Sequence, residues 1–97
     1  MPQHPIRSAA LSDAPELARL TAQRGYPSPE AAIGRRLALI TGSPDACLLV
    51  AERPGGGLAG WIHGFLSRLL ESDGRVEIGG LVVDEAFRRR GGRTGGR

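Results

Sequence analysis

The sequence predicts a small α+β domain in which a strand and two helices precede an antiparallel meander of three strands. Two segments carry apolar residues at helical spacing, the first at Leu17 and Leu20 and the second at Ile33, Leu37 and Ile40. Three apolar runs separated by glycine-containing turns follow them. A length of 97 residues allows one domain at most.

The first strand and helix are predicted from the opening segment. A short strand is expected around Ile6, and the helix is expected to begin at Ser12 and Asp13. Asp13 with Glu16 three residues later resembles a capping box, in which each side chain bonds a free backbone N–H. Gly25 is a suitable residue for the end of this helix.

The second helix has signals at both of its ends. Ser28 is predicted as its N-cap, with Pro29 in the first turn. The apolar stripe described above then packs inward. Gly42 and Pro44 end the helix.

The meander follows from three apolar runs and the turns between them. The strands are predicted at Ala46–Glu52, Leu58–Leu70 and Arg75–Val83. The turns are predicted at Pro54–Gly57 and Ser72–Gly74. Gly55 to Gly60 also match G-x-G-x-x-G, but a strand-like segment follows where a dinucleotide site needs a helix, so a hairpin turn is expected there.

Charge divides the chain into a body, residues 1–87, and a basic tail of Gly and Arg, residues 88–97. The body holds eight arginines against ten acids, whereas the tail holds five arginines and no acid. A local basic patch favours a local anionic ligand over a nucleic acid bound across the whole surface. The tail also lacks aromatic residues that would stack on bases.

Cysteine and histidine are too few for a structural metal site or an internal disulfide. Cys47 is the single cysteine and is expected to be a buried strand residue. The two histidines and the scattered acids show no metal-ligand spacing. No leader-like segment and no apolar run of about 20 residues is present, so a cytoplasmic protein without membrane association is expected.

The strongest motif lies where the last predicted strand ends. An apolar run up to Val83 passes through Asp84 and Glu85 into Arg88, Arg89, Arg90 and Gly91. Backbone amides and guanidinium groups at a strand end suit a pyrophosphate, because both donate hydrogen bonds to anionic oxygens. The alternative is a solvated run of charges.

This segment, LVVDEAFRRRG, resembles the hallmark of the GNAT (GCN-related N-acetyltransferase) superfamily, in which an apolar strand leads to R-x-x-G-x-G/A. The opening IRSAALSDAPELARL is similar to the first strand and helix of that family. The resemblance extends over essentially the whole chain but over only about half of the family's fold. It implies a GNAT-like half-fold, β1-α1-α2-β2-β3-β4, in which the C-terminal half is missing, and a single partial acetyltransferase domain over residues 1–97.

The resemblance also implies which residues bind acetyl-CoA. The backbone of the last strand would pair with the pantetheine arm, at Leu81, Val82 and Val83. The following loop would hold the pyrophosphate, with Arg88, Arg89, Arg90, Gly91, Gly92 and Arg93. The tail departs from the family at Arg93, which stands where a small residue is expected.

Glu77 is the candidate catalytic base, since relatives carry a glutamate on the matching strand that deprotonates the amine. The alternative is an outward residue paired with Arg75 or Arg68. Tyr26, between the two helices, is the candidate substrate-binding residue, and the alternative there is a loop aromatic that covers the core.

The function implied is acetyl transfer from acetyl-CoA to a primary amine, with no metal. Two alternatives stay open. In the first, the chain is a GNAT-derived fragment without catalysis that needs a partner chain, such as a second copy that completes the sheet. Otherwise it is a small module whose basic tail binds nucleic acid.

Overall fold

The computed structural model describes residues 5–68, 70–71 and 73–87. The order of elements agrees with the prediction. The strands are β1 (Ile6–Ser8), β2 (Ala46–Glu52), β3 (Leu58–Ser67) and β4 (Arg75–Val83). The helices are a 3-10 turn (Leu11–Asp13), α1 (Ala14–Gln23) and α2 (Glu30–Thr41).

The four strands form one antiparallel sheet in the order β1-β2-β3-β4, so that β1 and β4 are its edges. Both helices pack on the same face of the sheet, because each has one apolar stripe to bury. The buried residues that form this core are Ala14, Leu17, Leu20, Ile33, Leu37, Leu48, Val50, Leu58 and Val82. The predicted fold class, with its meander of β2, β3 and β4, is confirmed.

The opposite face of the sheet is apolar and is not covered by any helix that the structure describes. Leu49, Ile62 and Leu81 lie side by side across three strands on this face. Ile6 is 62% exposed and Leu81 is 53% exposed. Cys47 is exposed, so the expectation that it is buried was wrong. Its side chain lies on the uncovered face of the sheet, the same face as Leu49 on β2.

The pairing of β3 with β4 contains a bulge. His63 lies opposite Gly80 and Gly64 lies opposite Ile78, so Gly79 has no partner in the register. A Cβ on Gly79 would lie 3.1 Å from His63 Nδ1, and one on Gly80 would lie 2.9 Å from the indole ring of Trp61. The two glycines therefore allow the rings of β3 to lie directly over the backbone of β4.

Three boundaries differ from the prediction. Asp13 precedes α1 without capping it through its side chain, because its carboxylate accepts hydrogen bonds from Arg7 and from the Ala10 N–H. The helix α2 begins at Glu30, and Ser28 accepts a hydrogen bond from Arg36 instead of capping the helix. The strand β3 ends at Ser67 rather than at residue 70.

The glycines between β2 and β3 form the predicted hairpin turn. Gly55, Gly56 and Gly57 have φ angles of 85°, 115° and 82°, in the left-handed region that favours glycine. Leu58 then starts a strand directly. The G-x-G-x-x-G match is therefore a turn and not a dinucleotide loop.

Candidate functional site

Asp84 lies at the carboxyl end of β4 and is 3% exposed. Its Oδ2 accepts hydrogen bonds from Arg19 Nη1 at 2.8 Å and from Arg53 Nη1 at 3.2 Å. Its Oδ1 accepts a hydrogen bond from the backbone N–H of Ala86 at 2.8 Å. This carboxylate thus ties the end of β4 to α1 and to the β2–β3 hairpin.

The electrostatics of this site favour the ionised carboxylate. Burial on its own would raise the pKa of Asp84, because it disfavours the charged form. The Ala86 N–H and the guanidinium groups of Arg19 and Arg53 outweigh burial and hold the pKa below its ordinary value. Asp84 is therefore a negatively charged anchor at neutral pH.

Glu16 extends the same network along α1. Its carboxylate accepts hydrogen bonds from Arg19 Nε and Nη2, at 3.0 and 2.9 Å, and from the Leu58 N–H at 2.9 Å. Arg19 Nη2 also donates to the Leu58 carbonyl oxygen at 3.0 Å. The hydrogen bonds from Arg19 are the largest cause of the lowered pKa of Glu16. The start of β3 and the end of β4 are therefore fixed to one helix.

The outer edge of β4 carries backbone groups that point away from the sheet. The Asp84 N–H donates to the Ala59 carbonyl oxygen at 2.7 Å, which directs Asp84 toward β3. Since the direction alternates along a strand, Val82 also faces β3, whereas Leu81 and Val83 face outward. Arg24 Nη1 donates to the outward Leu81 carbonyl oxygen at 2.9 Å.

A cleft of about 390 Å³ lies between the end of α1, the α1–α2 connection and β4. We call it the edge cleft. Its lining residues are Thr21, Arg24, Tyr26, Trp61, Gly79, Gly80, Leu81 and Val82. The edge cleft thus brings the bulge at Gly79 and the outward-facing Leu81 of β4 together with Tyr26, the predicted substrate-binding residue.

The structure places the other predicted site residues in different surroundings. Val82 is buried in the core, 5% exposed, beneath the edge that Leu81 and Val83 present. Glu77 is half-exposed on β4 and its Oε2 lies 3.5 Å from Arg75 Nε. It is not among the lining residues of the edge cleft, and its catalytic role stays a prediction. Arg88, Arg89, Arg90, Gly91, Gly92 and Arg93 lie outside the described residues.

Three residues of this region were not predicted from the sequence. Asp84 is only part of the LVVDEAFRRRG motif, and neither Arg19 nor Arg24 was predicted to belong to the site. An acid directly after an apolar strand was the available sequence signal for Asp84. Its partners Arg19, on α1, and Arg53, in the β2–β3 hairpin, are brought to it only by the fold. Arg24 had no signal, because its bond to Leu81 joins residues far apart in the chain.

In the described part of the chain, no group of three or more His, Cys, Asp or Glu residues is placed to hold a metal ion. Neither α1 nor α2 has the length and apolar character needed to cross a bilayer.

Several solved structures with a similar fold are acetyltransferases. A GNAT family acetyltransferase from Staphylococcus aureus is 24% identical, with a TM-score of 0.79, and the match covers 93% of this chain and 69% of that one. The aminoglycoside antibiotic 6'-N-acetyltransferase AAC(6')-Ih from Acinetobacter baumannii is 15% identical, with a TM-score of 0.73 and coverage of 94% and 64%.

A third neighbour, AAC(6')-Iy, was solved in complex with the bisubstrate analogue CoA-S-monomethyl-acetylneamine. It is 18% identical, with a TM-score of 0.72, and the match covers 97% of this chain and 66% of that one. No protein-family model matches this chain, and no curated protein matches it.

This chain spans about two thirds of the length of each of these neighbours. At such identities the likeness concerns the fold. It agrees with the motif at the end of β4 and with the order of elements. The chain has a GNAT-like half-fold.

Proposed function

We propose that the protein is an acetyl-CoA-dependent N-acetyltransferase whose acceptor is a primary amine. The observation that supports this most directly is the outer edge of β4, where Leu81 and Val83 present backbone groups beside the edge cleft. Because the fold is shared with acetyltransferases, we interpret this edge as the place where the coenzyme binds. A strand edge of this kind can form hydrogen bonds with an extended chain that contains amides, and the pantetheine arm is such a chain.

The coenzyme would lie along β4 toward its carboxyl end. Pantetheine amides would pair with the outward groups of Leu81 and Val83, replacing the hydrogen bond that Arg24 makes to Leu81. The diphosphate would meet Arg88, Arg89 and Arg90 with Gly91, Gly92 and Arg93, whose amides and guanidinium groups suit anionic oxygens. Asp84 would fix the strand end from which these residues follow.

The acetyl group would pass directly from the coenzyme thioester to the amine. The amine nitrogen forms a bond to the carbonyl carbon, the carbon–sulfur bond breaks, and the electron pair leaves with the sulfur. Glu77 is proposed to accept the proton that the amine loses, directly or through water. The amine is held in the edge cleft, with Tyr26 as one wall. No nucleophilic side chain is needed for this route.

Calorimetric titration with acetyl-CoA tests the coenzyme site. We expect binding that weakens at least about tenfold when Arg88, Arg89 and Arg90 are replaced together by Gln, because charge-assisted hydrogen bonds to the diphosphate are lost. The control replaces Arg35, Arg68 and Arg75 by Gln, which removes the same charge from exposed positions of the body. Equal loss in both variants, or no binding by the unmodified protein, would contradict the proposal.

A second candidate function is supported by the uncovered face of the sheet. The exposed fractions are 62% for Ile6, 60% for Ile78 and 53% for Leu81, which is typical of a surface that another element or chain covers. We propose as the alternative a GNAT-derived half that binds coenzyme only after a second copy completes it. Sedimentation velocity over a range of concentrations separates the two: coenzyme binding confined to the associated form supports the alternative, and binding by a monomer excludes it.

A further inference from the structure

The edge cleft has an unusual charge composition for a site that would receive an amine. Arg24 is its one charged residue among the described lining residues, and none of those residues is acidic. A neighbouring cavity between the helices and the sheet shares Thr21 and Trp61 with it. There the charged lining residue is Arg36, again without an acid.

Six carboxylates of the described chain lie beside arginines, and none of the six lines the edge cleft. At the carboxyl end of β4, acids and arginines form a network of ion pairs. Its acids are Asp13, Glu16, Glu52 and Asp84, and its arginines are Arg7, Arg19 and Arg53. Asp45 pairs with Arg68, and Glu77 lies beside Arg75. An amine carrying several positive charges would therefore find a guanidinium in the edge cleft and no carboxylate among its described lining residues.

Arg24 is placed to bind an anionic group. It follows α1 directly and is exposed, and its Nη1 is held against β4 by the hydrogen bond to the Leu81 carbonyl oxygen. A guanidinium has five N–H donors in a planar fork, so this bond leaves other donors for a ligand, and the proposed pairing of pantetheine with Leu81 would release the remaining one. Two parallel N–H groups match the two oxygens of a carboxylate.

Trp61 belongs to the same region and carries a buried donor. It is a lining residue of both the edge cleft and the neighbouring cavity. Its Nε1 is buried and has no hydrogen-bond partner in the described part of the chain. Since buried donors are normally paired, a ligand oxygen that reached this N–H would satisfy it.

We infer that the acceptor is a small amine that carries a carboxylate close to its amino group, and that Arg24 binds this carboxylate. Polyamines and other polycationic amines are then poor acceptors, because they place positive charge beside Arg24. This inference rests on the proposed acetyltransferase function. It makes Arg24 a residue that determines acceptor specificity.

A matched pair of probes tests it: L-alanine and L-alaninamide, which differ only in the carboxylate, with spermidine as a polycation. Binding is followed by ¹H–¹⁵N chemical shifts, with and without saturating CoA. We expect L-alanine to bind at least about tenfold more tightly than L-alaninamide and to shift the amides of Arg24, Gly79 and Gly80. In Arg24→Gln the preference should fall to within about twofold, and in Arg35→Gln, an exposed control on α2, it should persist.

Equal affinity for the two probes, tighter binding of spermidine, absence of shifts from L-alanine, or a preference unaffected by Arg24→Gln would overturn the inference. A CoA titration recorded first on the same sample tests the proposed function separately. Shifts from CoA together with no preference for the carboxylate would overturn only the acceptor class. Absence of shifts from CoA would instead contradict the acetyltransferase proposal.

Discussion

Asp84 lies buried at the end of β4 with three donors on its two oxygens. Replacing one partner of such a group leaves the other partners with unbalanced charge, and this matters more than the loss of a single hydrogen bond. Arg19 and Arg53 are about a third exposed, so water reduces the effect. The residue is therefore expected to contribute to stability as well as to the position of the chain that follows β4.

Asp84→Asn should lower the free energy of unfolding by about 2 kcal/mol, because the amide keeps the size of the side chain and loses its charge. Urea denaturation followed by circular dichroism measures this change. Asp45→Asn is the control, since its ion pair with Arg68 is exposed and should contribute less than about 1 kcal/mol. Equal effects of the two substitutions would show that Asp84 is not an anchor.

The same carboxylates predict the dependence of stability on pH. The pKa values of Asp13, Glu16 and Asp84 are all held below their ordinary values in the folded protein. The unfolded chain therefore binds protons at a higher pH than the folded chain does, and stability is lost as pH falls below about 4. Urea midpoints between pH 7 and pH 3 should fall, and they should fall less in Asp84→Asn. A midpoint independent of pH over this range would contradict the assignment.

At the scale of elements, β4 combines an apolar sequence, a bulge and an outer edge to which no strand of the described residues pairs. The bounds of β2 and β4 were predicted correctly, because each is an apolar run between turn residues. The bulge at Gly79 was not predicted, since it depends on the register between two strands. The cap assigned to Asp13 was wrong, because Arg7 from β1 competes for the same carboxylate.

Gly80→Ala tests the close approach of β3 and β4. The new Cβ would lie 2.9 Å from the Trp61 ring, so the ring or the strand must move, and we expect a loss of about 1–3 kcal/mol in the free energy of unfolding. Gly34→Ala on α2 is the control, because its Cβ would meet no atom within 4 Å. That change should stabilise the protein by up to about 1 kcal/mol through helix propensity. A neutral Gly80→Ala would contradict the packing described.

At the scale of the whole molecule, the helices and one face of the sheet form a single core, while the other face stays apolar and uncovered in the described part of the chain. The fold class and the order of elements followed from periodicity and turns. The edge cleft could not be predicted, since it joins Arg24 and Tyr26 to a strand more than fifty residues later. The Arg-rich part of the predicted site remains a prediction from the motif.

Leu37→Ala measures how far stability depends on that core. Leu37 is 2% exposed, and its truncation should lower the free energy of unfolding by about 2–5 kcal/mol, a large fraction of the total for a small domain. Leu39→Ala on the same helix is the control, because Leu39 is 76% exposed and should change stability by less than about 0.5 kcal/mol. Similar losses from both would mean that α2 does not pack as described.

Binding of the coenzyme along the outer edge of β4 is tested most directly by a titration of ¹⁵N-labelled protein with acetyl-CoA. We predict that the largest shifts fall on the backbone amides of Leu81 and Val83, with smaller shifts in β1 at the opposite edge of the sheet. Saturation with acetyl-CoA that leaves the β4 amides unchanged would contradict the claim.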